Sequence, residues 1–317
     1  MRALVTGCAG FVGSHLSEDL LKDGHEVVGV DCFNDNYARR TKLQNLANAR
    51  AWEAFEFVPV DLSRGDLDDL VAECDVVFHL AAEPGVRSSW GPRFGQYTRN
   101  NIAATQHLLD AVKQSPGKRV VNASSSSIYG QAESRPTPED VVPRPFSPYG
   151  VTKLAAEHLC SLYHRNYGVD AVSLRFFTVY GPRQRPDMAF TSFCRAIRAR
   201  TPITVFGDGR QSRDFTYVSD IVAGIRSAAA TPDISGAVLN LGGGAEVSVS
   251  QVLDLLSGFA GRTLEISYAD AQRGDVRSTS ADCTRARSVI GYTPTVSVPE
   301  GLRQQFEWFF EQDGDDR

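Results

Sequence analysis

Short apolar runs alternate with amphipathic or polar stretches through the first half of the chain. RALVTG (2–7), EVVGVD (26–31), FEFVPVD (55–61), DVVFHLA (75–81), RVVNAS (119–124) and DAVSLRFF (170–177) are valine-rich and lack strict alternation. That pattern predicts strands of a parallel sheet covered on both faces. Helices are expected between them at 11–23, 66–73, 97–115 and 149–167. Strands alternating with helices give an α/β fold, a doubly wound parallel sheet. Beyond residue 177 the pattern loosens. Helices are expected near 187–200, 218–230, 248–260, 283–290 and 299–312, with short strands near 203–206, 237–241 and 263–268. No Pro/Gly/Ser linker divides the chain. The expectation is a dinucleotide-binding domain (1–176 and 215–241) carrying a smaller α/β lobe (177–214 and 242–317), with the tail EQDGDDR a frayed acidic end.

Composition narrows the class. The net charge is −5 over 317 residues, so no nucleic-acid surface is indicated and an anionic ligand must be met by local cations. Of 33 basic residues only five are lysines, at 22, 42, 113, 118 and 153, which makes Lys153 one of few candidates for lysine chemistry. The six cysteines are scattered with no C-x-x-C pair, so neither a metal site nor a disulfide framework is predicted. No signal peptide and no apolar run of membrane-spanning length is seen. The expected protein is soluble and cytoplasmic, away from membranes.

Two segments carry candidate chemistry. VTGCAGFVGSHL places Gly7, Gly10 and Gly13 directly after the first strand, where a helix opens with Phe11 and Val12. Glycines admit a close pyrophosphate, and the helix N-terminus offers N–H donors. Asp31 ends the second strand, where a carboxylate accepts ribose hydroxyls and repels a 2′-phosphate, favouring NAD over NADP. Asn34 lies just beyond it, and Asp61 with Leu62 follows the third strand, near the expected adenine. In SPYGVTKLAAEH, Tyr149 and Lys153 stand four apart, on one face of a helix start. An ammonium beside a phenol favours phenolate. Ser125 ends the fifth strand, at the edge that faces the ligand crevice of an open parallel sheet.

With those residues in place the sequence resembles the extended short-chain dehydrogenase/reductase family, the NAD-dependent nucleotide-sugar epimerases and dehydratases. G-x-x-G-x-x-G, HLAA (79–82), the serine run, Y-x-x-x-K, RFFTVYGP and FGDGRQSRDFTYVSD (206–220) occur in the family's order over nearly the whole chain. The resemblance implies that Ser125, Tyr149 and Lys153 are catalytic. It also implies that Leu80, Ala81 and Ala82 line NAD, and that Asn101 is the structural asparagine of the cofactor site.

Within the family, dehydratases carry acids directly after the catalytic hydroxyl, and many decarboxylases carry a glutamate in the same run. Here Ser126 and Ser127 follow Ser125. RFFTVYGP followed by RPDMA, and AAEPGVRSSW (81–90), resemble the UDP-glucuronate 4-epimerase group. Oxidation at C4 of glucuronate gives a β-keto acid, which loses CO₂ when its C5–C6 bond stands perpendicular to the carbonyl plane. Ser126, Ser127, Thr178 and Arg185 are the candidates to hold the carboxylate out of that geometry. Arg213 is a candidate for the diphosphate, Arg87 for the diphosphate or the sugar, Phe206 for the uracil, and Gln211 and Asp275 for the ribose of a UDP-sugar. The implied mechanism has four steps. Tyr149 takes the 4-hydroxyl proton, hydride passes to NAD⁺, the keto sugar turns over, and hydride and proton return on the opposite face. A sugar without the carboxylate, UDP-glucose or a UDP-N-acetylhexosamine, is the alternative substrate, and decarboxylation of UDP-glucuronate the alternative reaction. Family members pair through the helices at 97–115 and 149–167, so the resemblance implies a homodimer, and Leu108, Leu109, Leu154 and Leu159 are free to serve core or partner.

Overall fold

The computed structural model describes residues 1–312; residues 313–317, most of the acidic tail expected to fray, lie outside the described residues. Seven parallel strands form the main sheet: β1 (Arg2–Thr6), β2 (Glu26–Val30), β3 (Phe55–Val58), β4 (Val76–His79), β5 (Arg119–Ser125), β6 (Asp170–Phe176) and β10 (Val238–Leu241). They lie in the order β3-β2-β1-β4-β5-β6-β10. The chain winds outward in both directions from β1 and β4, which puts the ligand crevice at the C-terminal ends of those strands and their neighbours. Val5, Val77, Val121, Val172 and Leu239 are fully buried, as strands covered on both faces require. The doubly wound expectation holds.

The covering helices are α1 (Phe11–Lys22), α2 (Arg39–Asn45), α3 (Asp68–Ala72), α4 (Phe94–Tyr97), α5 (Ala104–Gln114), α6 (Pro148–Tyr167) and α8 (Val218–Ala230). Ser147 caps α6 by accepting the Gly150 N–H at 3.1 Å, and Gly168, with φ 70°, ends it. The expected single helix at 97–115 is broken: a π-helical stretch, Thr98–Ala103, separates α4 from α5. Seven-residue α2 was not foreseen; RRTKLQN lacks an apolar stripe.

The second lobe holds two small sheets. β7 (Thr178–Tyr180), β9 (Ser212–Tyr217) and β11 (Glu246–Ser248) form one, in the order β11-β9-β7; β8 (Ile203–Phe206) and β12 (Ile266–Ala269) form the other. α7 (Ala189–Ala199), α9 (Val249–Ala260) and α11 (Val298–Glu311) cover them, while α10 (Thr284–Ile290) packs on β10 and α8. Tyr180, Phe190, Phe215 and Tyr217 stack there with ring centroids 4.7–6.1 Å apart. This lobe shares one continuous apolar core with the main sheet, from Val5 and Leu174 to Phe190 and Leu302. Leu108 and Leu109 are fully buried, and Leu154 and Leu159 pack partly against the core. All four leucines therefore serve the fold. No helix among the described residues is long and apolar enough to cross a membrane.

Candidate active site

β1 ends in a glycine turn whose shape depends on missing side chains. Gly7 has φ 72°, donates its N–H to Val30 O at 2.7 Å, and a Cβ on it would stand 2.8 Å from the Ala81 nitrogen. A Cβ on Gly13 would stand 2.2 Å from Gly7 O. α1 starts at Gly10 with no side-chain cap, so its first-turn N–H groups open into the cavity that Gly7, Gly10, Phe11, Val12 and Gly13 line. An uncapped twelve-residue helix behind a glycine cradle fits a pyrophosphate.

Asp31 lines the same cavity and accepts the Phe33 N–H through Oδ1 at 2.8 Å. Burial raises its carboxyl pKa, against the pull of that N–H and of Lys42. Asn34 is tied on both sides: its Nδ2 donates to Glu83 Oε2 at 2.8 Å and its carbonyl accepts from Lys42 Nζ at 2.7 Å. Tyr37 and Lys42 also line the cavity, so the segment after β2 straps across it. Sequence reading missed this strap; the signal was Lys42, one of five lysines. Asp61 lines the cavity with Leu62, and its Oδ1 also caps a turn by accepting the Ser63 N–H at 2.9 Å and hydroxyl at 2.7 Å.

Leu80, Ala81 and Ala82 follow β4 into the cavity, positioned from beneath. Thr6 Oγ1 accepts the N–H groups of Leu80 and Ala81 at 3.2 and 3.1 Å. Its one proton is then left for His79 Nδ1 at 3.0 Å, so His79 carries its proton on Nε2 and donates to Thr105 Oγ1 at 2.9 Å. Burial and Lys153 hold this imidazole neutral, its pKa lowered to about 3. Asn101 lies behind the cavity, not on its wall. Its Oδ1 accepts the Glu83 N–H at 2.6 Å, and its Nδ2 donates to Glu83 O at 3.1 Å and Thr152 Oγ1 at 2.9 Å. Asn101 thus fastens the segment after Ala82 to α6, one residue before Lys153.

Ser125, Ser126, Ser127, Tyr149, Lys153, Thr178 and Arg185 come together in the same cavity. Behind Ser125 stands a buried network. Ser124 Oγ donates to Glu157 Oε2 at 2.6 Å, and Arg175 clasps Glu157 through Nε and Nη2 at 3.0 and 2.6 Å. Arg175 Nη1 donates to Tyr129 Oη at 2.6 Å, whose proton goes to Asn240 Oδ1 at 2.7 Å. Lys153 was expected to lower the Tyr149 pKa. Here burial raises Tyr149, and the opposing pulls come from the Ser125 hydroxyl and the Arg185 charge. Lys153 is itself desolvated, its pKa lowered to about 8.

The remaining candidates gather in a second cluster off the cavity wall. Arg87 Nη2 meets Asp275 Oδ2 at 2.7 Å, and its guanidinium covers the Phe206 ring 4.4 Å from the centroid. The Phe206 face expected for the uracil is therefore shared with Arg87. Gln211 donates to Phe206 O at 2.8 Å, while its Oε1 is buried without a partner. Arg213 Nη1 is held by Ser212 O at 2.7 Å, close enough to feel the charges of Asp275 and Arg87. Among the described residues no cluster of His, Cys, Asp or Glu is placed to hold a metal ion.

A glycine cradle at a sheet switch point, an acid ending β2, and Tyr149 and Lys153 one turn apart beside Ser125 define a dinucleotide-dependent oxidoreductive site. The chain belongs to the NAD dependent epimerase/dehydratase family, whose model matches residues 3–242. It is 42% identical to the UDP-glucuronic acid 4-epimerase of Bacillus cereus, solved with UDP-glucuronic acid and NAD, at a TM-score of 0.95 over 98% of this chain and 99% of that one. It is 39% identical to a UDP-glucuronate 4-epimerase of Thermodesulfobacterium geofontis (96% of this chain, 95% of that one). It is 44% identical to an uncharacterized UDP-glucose epimerase of Bacillus subtilis (97% and 98%).

Proposed function

We propose that the chain is an NAD-dependent UDP-glucuronate 4-epimerase, interconverting UDP-glucuronate and UDP-galacturonate. The observation that carries the reading is one cavity joining Ser125, Tyr149 and Lys153 to a shielded guanidinium, Arg185, and three short hydroxyls, Ser126, Ser127 and Thr178. The first-turn N–H groups of α1 would hold the NAD pyrophosphate, Asp31 the adenine ribose, and Leu80 to Ala82 the opposite face. Bound there, NAD supplies a reversible hydride acceptor at C4. Tyr149 takes the 4-hydroxyl proton and later returns it, with Ser125 holding the same oxygen. The Ser125 hydroxyl and the Arg185 charge favour the phenolate against the burial that opposes it.

The carboxylate clamp gives the pocket its specificity. Charge-assisted hydrogen bonds from Arg185, with Ser126, Ser127 and Thr178, keep the C5–C6 bond out of the perpendicular geometry that expels CO₂. No acid follows Ser125 to drive elimination. Arg87 and Arg213 supply the diphosphate with local cations, since a chain of net charge −5 offers it no global positive field. The apolar side chains left exposed on α6, Val151, Leu162 and Tyr167, favour a homodimer through that helix, checked by sedimentation velocity. Five of the six cysteines are buried and all six are free, in keeping with a cytoplasmic setting.

Proton NMR of UDP-glucuronate with purified protein and catalytic NAD tests the reading. UDP-galacturonate rising to an equilibrium mixture is expected. A UDP-pentose with CO₂ release would make the protein a decarboxylase. Turnover of UDP-glucose in place of UDP-glucuronate would favour the activity named for the Bacillus subtilis relative, and the clamp would have no task.

A further inference from the structure

The loop that presents Arg185 is bolted down on both sides. His15 Nε2 donates to Pro182 O at 2.9 Å, and Glu18 pairs with Arg183 at 2.7 Å, fastening the loop to α1. Gln305 of α11 accepts the Gly181 N–H at 2.9 Å and donates to Gln184 Oε1 at 3.0 Å. The Met188 N–H closes a turn on Arg185 O at 3.1 Å. With the backbone fixed, the freedom left at the tip is in side chains. Arg185 Nε and Nη2 donate side-on to Asp187 Oδ1 and Oδ2 at 3.0 and 2.8 Å. Among the described residues Asp187 is the only hydrogen-bond partner of the Arg185 side chain. The two differ in exposure: the Arg185 side chain is 20% exposed, that of Asp187 57%.

That edge of the guanidinium is the one a substrate carboxylate would use, because side-on, two-bond pairing is the fork's preferred match to a carboxylate. A shielded guanidinium cannot be left unpaired without cost, whereas a half-exposed aspartate can turn to water. We propose that Asp187 is a built-in stand-in for the substrate carboxylate. It neutralises Arg185 when the bound sugar has a neutral C6 group and gives way when that group is charged. The inference rests on the reading of Arg185 as the carboxylate clamp, and it makes Asp187 a positioning residue that tunes selectivity by competing for the clamp.

Calorimetric titration of the NAD-loaded protein tests it, in a Tyr149→Phe background that stops turnover, with UDP-glucuronate and UDP-glucose as probes. In Asp187→Asn the competitor is gone, and the Kd for UDP-glucuronate is expected to fall about two- to fivefold, the scale of a half-exposed pair. The Kd for UDP-glucose should hold or rise, because the guanidinium then lacks a counter-charge. Asp187→Glu should restore much of the original ratio. If Asp187→Asn weakens UDP-glucuronate, or moves both Kd values by one factor, the stand-in role is overturned. Arg185→Gln separates the two claims. A selective loss of UDP-glucuronate binding upholds the clamp, so a failure of Asp187→Asn would then fall on the stand-in alone. An equal loss for both sugars would remove the clamp and the stand-in together.

Discussion

Tyr149 and Arg185 face the same cavity and are held in opposite ways. Tyr149 stands on the first turn of a capped twenty-residue helix, beside a strand end whose neighbours Ser124, Glu157 and Arg175 are each below a tenth exposed. The polar groups named in that wall are paired with one another, and the Arg175 guanidinium alone bonds Glu157, the Tyr129 hydroxyl and Glu139 O. Arg185 sits on a loop paired with a half-exposed acid, and the cluster beyond it repeats the pattern in Arg87 with Asp275 and Arg277 with Asp208. On the proposed function the Tyr149 wall fixes geometry by burial, while Arg185 and Arg87, the cations proposed to meet substrate, and Arg277 are paired with acids 57%, 30% and 50% exposed. That division suits a reaction in which the proton shuttle must not move while the sugar turns.

The largest effect should follow from breaking the catalytic wall at its functional atom. Tyr149→Phe keeps the ring packed edge-on against Tyr97, 6.3 Å away, and removes only the proton carrier. The epimerisation rate should fall about 10²–10⁴-fold while UDP-sugar binding persists, measured by NMR turnover and calorimetry. A rate within a few-fold of the parent would overturn the proton role. Next, Glu157→Gln leaves the Arg175 guanidinium buried at 5% exposure without its counter-charge. Breaking such a pair costs about 3–5 kcal/mol, which should appear as a lowered midpoint in urea unfolding. Arg226→Ala is the control from an exposed setting. Its partners Asp19 and Asp23 are 41% and 50% exposed, and the loss should stay near 0–1 kcal/mol, on the order of a surface pair. Equal losses in the two variants would erase the contrast between buried and exposed pairing.

The same contrast explains what could be read from the sequence. The glycine turn, Asp31, and the Tyr149–Lys153 spacing were legible because each is local: a turn needing positive φ, a strand end, one helical turn. The main sheet was legible because strands covered on both faces must be continuously apolar. The strap carrying Tyr37 and Lys42 was not, since α2 has no apolar period. The break before Asn101 was hidden because the π-helical stretch Thr98–Ala103 keeps helical composition. β7, β9 and β11 are three to six residues long and acquire their pairing from segments far away in sequence. Asp187 was passed over because its meaning lies in what Arg185 does with it, and a carboxylate two residues away carries no periodic signal.

A smaller effect is expected on the substrate wall. Arg87→Ala opens an ion pair 49% and 30% exposed, so the unfolding midpoint should barely change. The KM for the UDP-sugar should rise about tenfold, worth roughly 1.4 kcal/mol, if the deleted guanidinium normally meets the diphosphate. A change in kcat at constant KM would move Arg87 from binding to the chemical step.

The smallest effect concerns the seam between the walls. His15, on α1, is the hinge pin under the Arg185 loop through Pro182 O, and burial with the nearby Arg183 charge lowers its pKa from 6.5 to about 4. The folded imidazole is held neutral while the unfolded one charges readily. As pH falls below 6.5 the unfolded chain takes up the proton first, so stability present above that value drains away toward pH 4. His79 adds a parallel loss that extends to about pH 3. Unfolding free energies measured between pH 7 and 4 should therefore slope downward. His15→Gln, which keeps an N–H donor for Pro182 O but cannot titrate, should flatten part of that slope while costing about 1 kcal/mol at pH 7. An unchanged slope would mean that His15 titrates in the fold as it does in the unfolded chain. The seam would then be wetter than its burial implies, and the loop carrying Arg185 less firmly fixed.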